Sequence, residues 1–257
     1  MQARLRAIDL SGVAESQRLS AELLGFILKH DIALAAFRDW RIPFLADTGF
    51  HNIFGYIVGA TPFRTPKDYE DYLARLEKMP AFLDQNIANM RIGLADGFAQ
   101  PKEILPFILP SFEAQAAGSV QDHPLYAPFK SFPDGIDARR RTALTRRADA
   151  VLSQQVIPAY ARVLAFMRDE YIPNAQDTVG AAALPQGDAY YRALVRYFTT
   201  RDDATPDAIH ALGLKEVARI RKEMEKTMKD AGFKGSFDEF TEYLRTDPKF
   251  YATTEDE

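Results

Sequence analysis

The chain has 257 residues, 47% of them hydrophobic and 12% aromatic, with a net charge of -4 and no cysteine. That content sustains a sizeable core and excludes intrinsic disorder, which needs low hydrophobicity and high net charge. It also excludes a disulfide framework, thiolate chemistry and a cysteine zinc finger, and it offers no concentrated positive charge for nucleic acid.

The opening MQARLRAIDLSG holds charge but no apolar run of signal-peptide length. No later stretch reaches the roughly 20 apolar residues that span a bilayer. Leu19, Leu23, Phe26, Ile27 and His30 fall on one stripe of an expected helix that continues through DIALAAFRDW to Pro43. Thr65-Pro66 starts the next, with Thr65 as N-cap, Pro66 at the first helical position and Asp68 completing a capping box. Its stripe is Tyr69, Tyr72, Leu73 and Leu76. Pro80 opens another, with Leu83, Ile87, Met90 and Leu94 on one face and Gly97 as the stop.

PKEILPFILPSF carries three prolines and reads as short helical pieces, and GSVQDHPLYAPFKSFPDG as a loop. A long helical pattern runs from Ile136 to about Tyr171, and Pro158 should kink or split it. GAAALPQG is a flexible link into a helix near Gly187 or Asp188. Thr205-Pro206-Asp207 opens the clearest helix, lined on one side by Ile209, Leu212, Val217, Ile220, Met224 and Met228 and closed by Gly232. Ser236 and Glu239 box the next, and Thr254 to Glu257 spell a further capping box at the chain end.

No stretch alternates with period two for long enough to form a central strand, so the expected class is all-α. The architecture is an irregular multi-helix domain with long, partly kinked helices, read as one domain over residues 1–257.

The four histidines, His30, His51, His123 and His210, are isolated, and none sits in H-E-x-x-H. His30 and His123 read as packed or solvated. His51, among glycines and aromatics, suits a loop folded on the core or a pocket wall. Glu216 lies about 240° around the helix from His210, so the two share no ligand face. Arg139, Arg140, Arg141, Arg146 and Arg147 spread around their helix without interleaved aromatics, as in a solvated face with acidic partners. Tyr190 and Tyr191 point about 100° apart, so one can be core while the other faces a cleft.

YLARLEKMPAFLDQNIANMRIGLADGFAQPKEIL, VIPAYARVLAFMRDEYIPNA, LPQGDAYYRALVRYFTT, TPDAIHALGLKEVARIRKEM and LRTDPKFY resemble, in order and spacing, successive blocks of the bacterial domain-of-unknown-function 885 family. The resemblance implies a zinc-metallopeptidase-like hydrolase of zincin-like helical fold acting on peptides. Its catalytic motif would be of the type H-E-x-x-x-G-H-H, downstream of the last block here. It also implies residues before the equivalent of Met1, often a signal or lipoprotein segment. On that pattern the chain is an N-terminal to central portion, cut at the C-terminus and with room for a cut at the N-terminus, and its zinc ligands and general base belong to the missing catalytic portion.

Two functions compete: a non-catalytic wall of a peptidase-like substrate cleft, and a stand-alone helical interaction module. For the cleft the candidates are Gly187, which permits a tight entry to its helix, Tyr190 and Tyr191, which offer flat apolar area with a hydroxyl, and His210 one turn into the next helix. The competing reading has them pack the helix junction. No catalytic residue and no bound zinc are expected in this chain alone.

Overall fold

The structure, a computed structural model, describes residues 1–45, 48–252 and 254. The C-terminal capping box, which needs Glu257, falls outside the described residues. Among the described residues every regular element is helical, and strand-like pairing is confined to two isolated bridges, Phe44 with Gly49 and Pro101 with Gln176. The chain divides into two compact units, Met1–Ala193 and Leu194–Glu257.

In the first unit α1 (Gln2–Arg6) packs on α2 (Glu15–Ala35). The expected stripe of α2 is helical, but Leu19, Leu23 and Ile27 are exposed, and of that set only His30 is buried. The helix also stops earlier than its sequence suggests. Arg38 turns left-handed at φ 55°, and a 3-10 turn follows at Asp39–Arg41. Arg41 explains the stop. Its guanidinium donates to the carbonyls of Phe37 at 2.7 Å and Arg38 at 3.0 Å, capping groups that a continuing helix would have bonded.

The core is built by α3 (Ile53–Ala60), α4 (Pro66–Leu76), α5 (Met79–Asp96), α6 (Leu109–Ala116), α7 (Ala138–Val151) and α8 (Ile157–Phe166). Thr65 caps α4 as expected: Asp68 Oδ2 accepts from its N–H at 2.7 Å, and all four stripe residues are buried. Gly97 ends α5 at φ 70°. α8 is the central helix, buried through Ala159, Tyr160, Val163 and Phe166 and packed on α5 and α6. Ahead of Pro158 the helix widens into a π turn, Leu152–Val156, and a second π turn, Met167–Tyr171, closes it. Pro158 thus falls in the first turn of a restarted helix, where its missing N–H costs nothing.

The segment read as a loop contributes more than connection. Two 3-10 turns, Val120–Asp122 and Pro124–Phe129, bury Leu125, Tyr126 and Phe129 in the core.

The boundary between the units falls within α9 (Gly187–Thr199). In the second unit α10 (Pro206–Asp230) is capped by Thr205 and followed by Gly232 at φ 71°. α11 (Phe237–Thr246) opens on the Ser236 and Glu239 box. Met228 and Phe240 are buried, and Phe233 stacks on Phe240 and Tyr243 with ring centres 5.2 Å apart. Ile209, Leu212, Val217, Ile220 and Met224, the rest of the expected α10 stripe, are exposed.

Helix α5 crosses the chain tightly at Gly93. A Cβ there would lie 2.6 Å from the Phe98 carbonyl oxygen and 3.0 Å from that of Arg41. Gly93→Ala should therefore cost about 1–3 kcal/mol through overpacking. Gly213→Ala, at an open position inside α10, should stabilise by up to about 1 kcal/mol through helix propensity. Urea unfolding followed by circular dichroism measures both, and a neutral Gly93→Ala would refute the tight crossing.

Candidate functional site

The segment LPQGDAYY enters α9 through an unusual backbone. Gln186, not Gly187, takes the left-handed conformation, at φ 59°. Gly187 is buried, and a Cβ on it would lie 2.0 Å from the Ala181 carbonyl oxygen. The expected role of Gly187 in a tight helix entry therefore has a different physical basis: the turn Ala181–Ala183 crosses where a side chain would stand.

Beside this crossing lies a hollow of about 390 Å³ lined by Asp39, Ile42, Gln100, Gln176, Ala181, Leu184 and Tyr190, among others. Its floor is the parallel bridge of Pro101 with Gln176. There the Gln176 N–H donates to the Gln100 carbonyl at 3.2 Å, and the Lys102 N–H donates to the Gln176 carbonyl at 2.8 Å. The Gln100 N–H donates to the buried Tyr171 hydroxyl at 3.0 Å. Both carboxamides are oriented by backbone carbonyls: Gln100 Nε2 donates to Phe44 at 2.8 Å, and Gln176 Nε2 donates to Gly97.

The wall is Tyr190, half-buried, with its ring centre 5.5 Å from Phe98 and 5.4 Å from Phe37. Burial, and secondarily the charge of Asp39, push the Tyr190 phenol above its usual range. The hydroxyl therefore keeps its proton at neutral pH.

Asp39 is placed by Arg41, two residues on. That side chain is buried, lies 4.2 Å over the Phe98 ring and pairs with Asp96 at 2.7 Å. Pro185 and Gln186 line a second hollow, of about 300 Å³, together with Arg38, Arg41 and Asp96. Tyr191 is exposed and lines neither hollow. His210 is an exposed residue of α10 in the second unit.

A wider hollow of about 730 Å³ lies along α5 and α8, but its charges bind one another, Arg162 to Asp84 at 2.9 Å and Arg91 to Glu170 at 2.8 Å. The arginine run of α7 is similarly engaged. Arg147 pairs with Glu77 at 2.7 Å, and Arg141 donates to the carbonyls of Ile136 and Pro133.

The histidines provide no metal centre. His51 is core: its ring lies 4.5 Å from Phe112, neither ring nitrogen has a hydrogen-bond partner, and desolvation lowers its pKa to about 4. His123 Nδ1 accepts from the Leu125 N–H at 3.2 Å, capping a 3-10 turn. His30 stacks on Phe26, with ring centres 4.3 Å apart. Among the described residues no three His, Asp or Glu groups converge to hold an ion. The zinc implied by the sequence resemblance has no fitting ligand set in them.

Asp39, Gln100 and Gln176 were not legible as site residues. The glutamines meet only through a bridge between distant segments, and no local pattern marks either one.

The family described as bacterial protein of unknown function (DUF885) matches the chain over residues 1–257. The fold is similar to that in "The crystal structure of the putative lipoprotein from Colwellia psychrerythraea", with a TM-score of 0.69 and 26% identity. That match covers 76% of this chain and 34% of the other, so the chain spans about a third of its neighbour's length. No curated protein matches the chain.

His51 generates a pH prediction. Its folded pKa of about 4 lies below the ordinary 6.5. Between those values the unfolded chain takes up a proton that the folded chain refuses. The stability that depends on it is therefore intact above pH 6.5 and is lost as the pH falls toward 4. The loss should reach roughly 2–3 kcal/mol by about pH 4.5. Urea midpoints of wild type and His51→Phe between neutral pH and that point should diverge accordingly, with the variant the flatter of the two. Parallel curves would show that His51 is not buried in its neutral form.

Proposed function

We propose, from the premise that the chain belongs to the DUF885 family of bacterial proteins, that its first unit is the non-catalytic, substrate-holding helical part of a zinc-dependent, peptidase-like hydrolase. One observation carries this reading. Leu184 and Tyr190, from the LPQGDAYY segment, line a 390 Å³ hollow whose other polar side chains are two oriented carboxamides, the Thr178 hydroxyl and one carboxylate. That volume is within the roughly 300–1,000 Å³ of small-ligand sites. Carboxamides and a phenol are the groups that hydrogen-bond a peptide backbone, and Ile42, Ala181 and Leu184 give apolar contact for its side chains.

In this reading the 257 residues grip and position the substrate. Zinc, when bound elsewhere in the longer protein, would supply the activated water. No proton transfer or bond cleavage is assigned to any residue here.

The single tryptophan, Trp40, adjoins Asp39 and is partly exposed, so its emission reports on the hollow. Titration with short unblocked peptides should give a saturable change. Tyr190→Phe should weaken binding severalfold with an unmoved melting temperature. If no peptide perturbs Trp40, or if Tyr190→Phe binds normally but loses a kcal/mol or more of stability, the scale of a damaged core, Tyr190 is structural and the cleft assignment is wrong.

A second reading, a helical interaction module, is favoured by the exposed apolar residues of α2 and α10. Contiguous exposed apolar surface marks partner sites. It predicts concentration-dependent self-association and binding of a hydrophobic dye. A monodisperse monomer that ignores the dye in light scattering and fluorescence would count against it.

A further inference from the structure

We propose that the hollow beside Tyr190 is a subsite for a primary ammonium group, specifically the free amino terminus of a peptide. This inference rests on the substrate-holding reading above and narrows it to one end of one substrate class.

The argument begins with the charges. Among the described residues Asp39 is the single charged one lining the hollow, and no lysine or arginine lines it. The basic groups nearby in sequence are committed to other acids. Arg41 binds Asp96 and two backbone carbonyls, Arg38 also reaches Asp96, at 3.4 Å, and Lys102 binds Asp177 at 2.7 Å. The field in the hollow is therefore that of a carboxylate.

The neutral polar groups point the same way. Gln100 and Gln176 each spend amide hydrogen on a backbone carbonyl. That fixes the carboxamide rotation and leaves each side chain its oxygen as an acceptor beside one remaining N–H. A ligand that suits a carboxylate and two amide oxygens is a multiple donor with positive charge. An ammonium has three N–H donors and no acceptor. An anion would meet repulsion from the Asp39 carboxylate with no lysine or arginine among the described lining residues to offset it.

Tyr190 completes the match. Its phenol keeps its proton, so the ring adds no competing negative charge, and an aromatic ring attracts a cation through its quadrupole. Ile42, Ala181 and Leu184 line the remainder, which suits the apolar side chain of a first residue. A peptide amino terminus carries its charge on the Cα that also bears such a side chain, whereas a lysine ammonium stands at the end of a flexible stem.

The test is calorimetric titration of the intact chain with leucyl-glycyl-glycine, its N-acetyl form and N-acetyl-lysine amide. The free tripeptide should bind, and acetylation should weaken it by about tenfold or more, the worth of a charge-assisted hydrogen bond. Asp39→Asn should cause a similar loss for the free tripeptide and almost none for the acetylated one. Affinity should also fall as the pH rises through the amino-terminal pKa of about 8.

Equal binding of free and acetylated tripeptide overturns the ammonium subsite while leaving the substrate-holding reading intact. Failure of every peptide to bind overturns both. N-acetyl-lysine amide binding as tightly as the free tripeptide overturns the assignment to an amino terminus. If Asp39→Asn fails to fold, the comparison of the two tripeptides on wild type still decides.

Discussion

Three buried tyrosine hydroxyls hold the irregular backbone of the first unit to its helices. Tyr160, on α8, donates to the His51 carbonyl at 2.5 Å. Tyr72, on α4, donates to the Leu125 carbonyl at 2.9 Å. Tyr171, in the second π turn, accepts from the Gln100 N–H at 3.0 Å. Irregular segments lack the ladder that satisfies backbone groups in helices, and each orphaned group buried among apolar side chains is costly. One phenol per segment removes that cost while its ring fills the core. Burial raises all three phenol pKa values, that of Tyr171 to about 12, so the hydroxyls remain protonated and able to hold these contacts.

The candidate site inherits its rigidity from this arrangement. Tyr171 fixes Gln100, Gln100 pairs with Gln176 across the bridge, and the two side chains are then aimed by the carbonyls of Phe44 and Gly97. Arg41 does the equivalent for the opposite rim. By ending α2 it sets the turn that carries Asp39 and Trp40, and its stacking on Phe98 ties that turn to the residue that also contacts Tyr190. Placement thus comes from a few polar side chains bonding backbone, and the apolar core supplies the frame behind them.

This division explains what could be read from the residues alone. Thr65 with Asp68, Gly97, Ser236 with Glu239 and the break near Pro158 are local: cap, stop and kink are decided within a turn or two, and each appears where its chemistry puts it. The stripes of α2 and α10 were legible as helix but not as exposed surface, because periodicity reports that a face exists and not what covers it. The stretch around Leu125 and Phe129 lost its signal to prolines and a 3-10 period, although it lies in the core. The glycines and aromatics around His51 fit a core loop and a pocket wall equally, and its packing against Phe112 places it in the core. Asp39 and the two glutamines carried no signal, since they become neighbours only through the fold.

The π turns carry a consequence for how this chain can change. Each fits one more residue into a turn than the flanking helix would, so the helix after it is rotated by about 100° relative to unbroken α geometry. The faces that α7 and α8 bury are therefore keyed by residue count as much as by residue type. Losing a single residue within Leu152–Val156 would let the turn relax to regular winding with Tyr160, Val163 and Phe166 still facing their sites, whereas losing one from the regular winding of α7 would swing all three away together. The long helical stretch should accordingly accept the loss of one residue within a π turn more readily than the same loss in its regular turns.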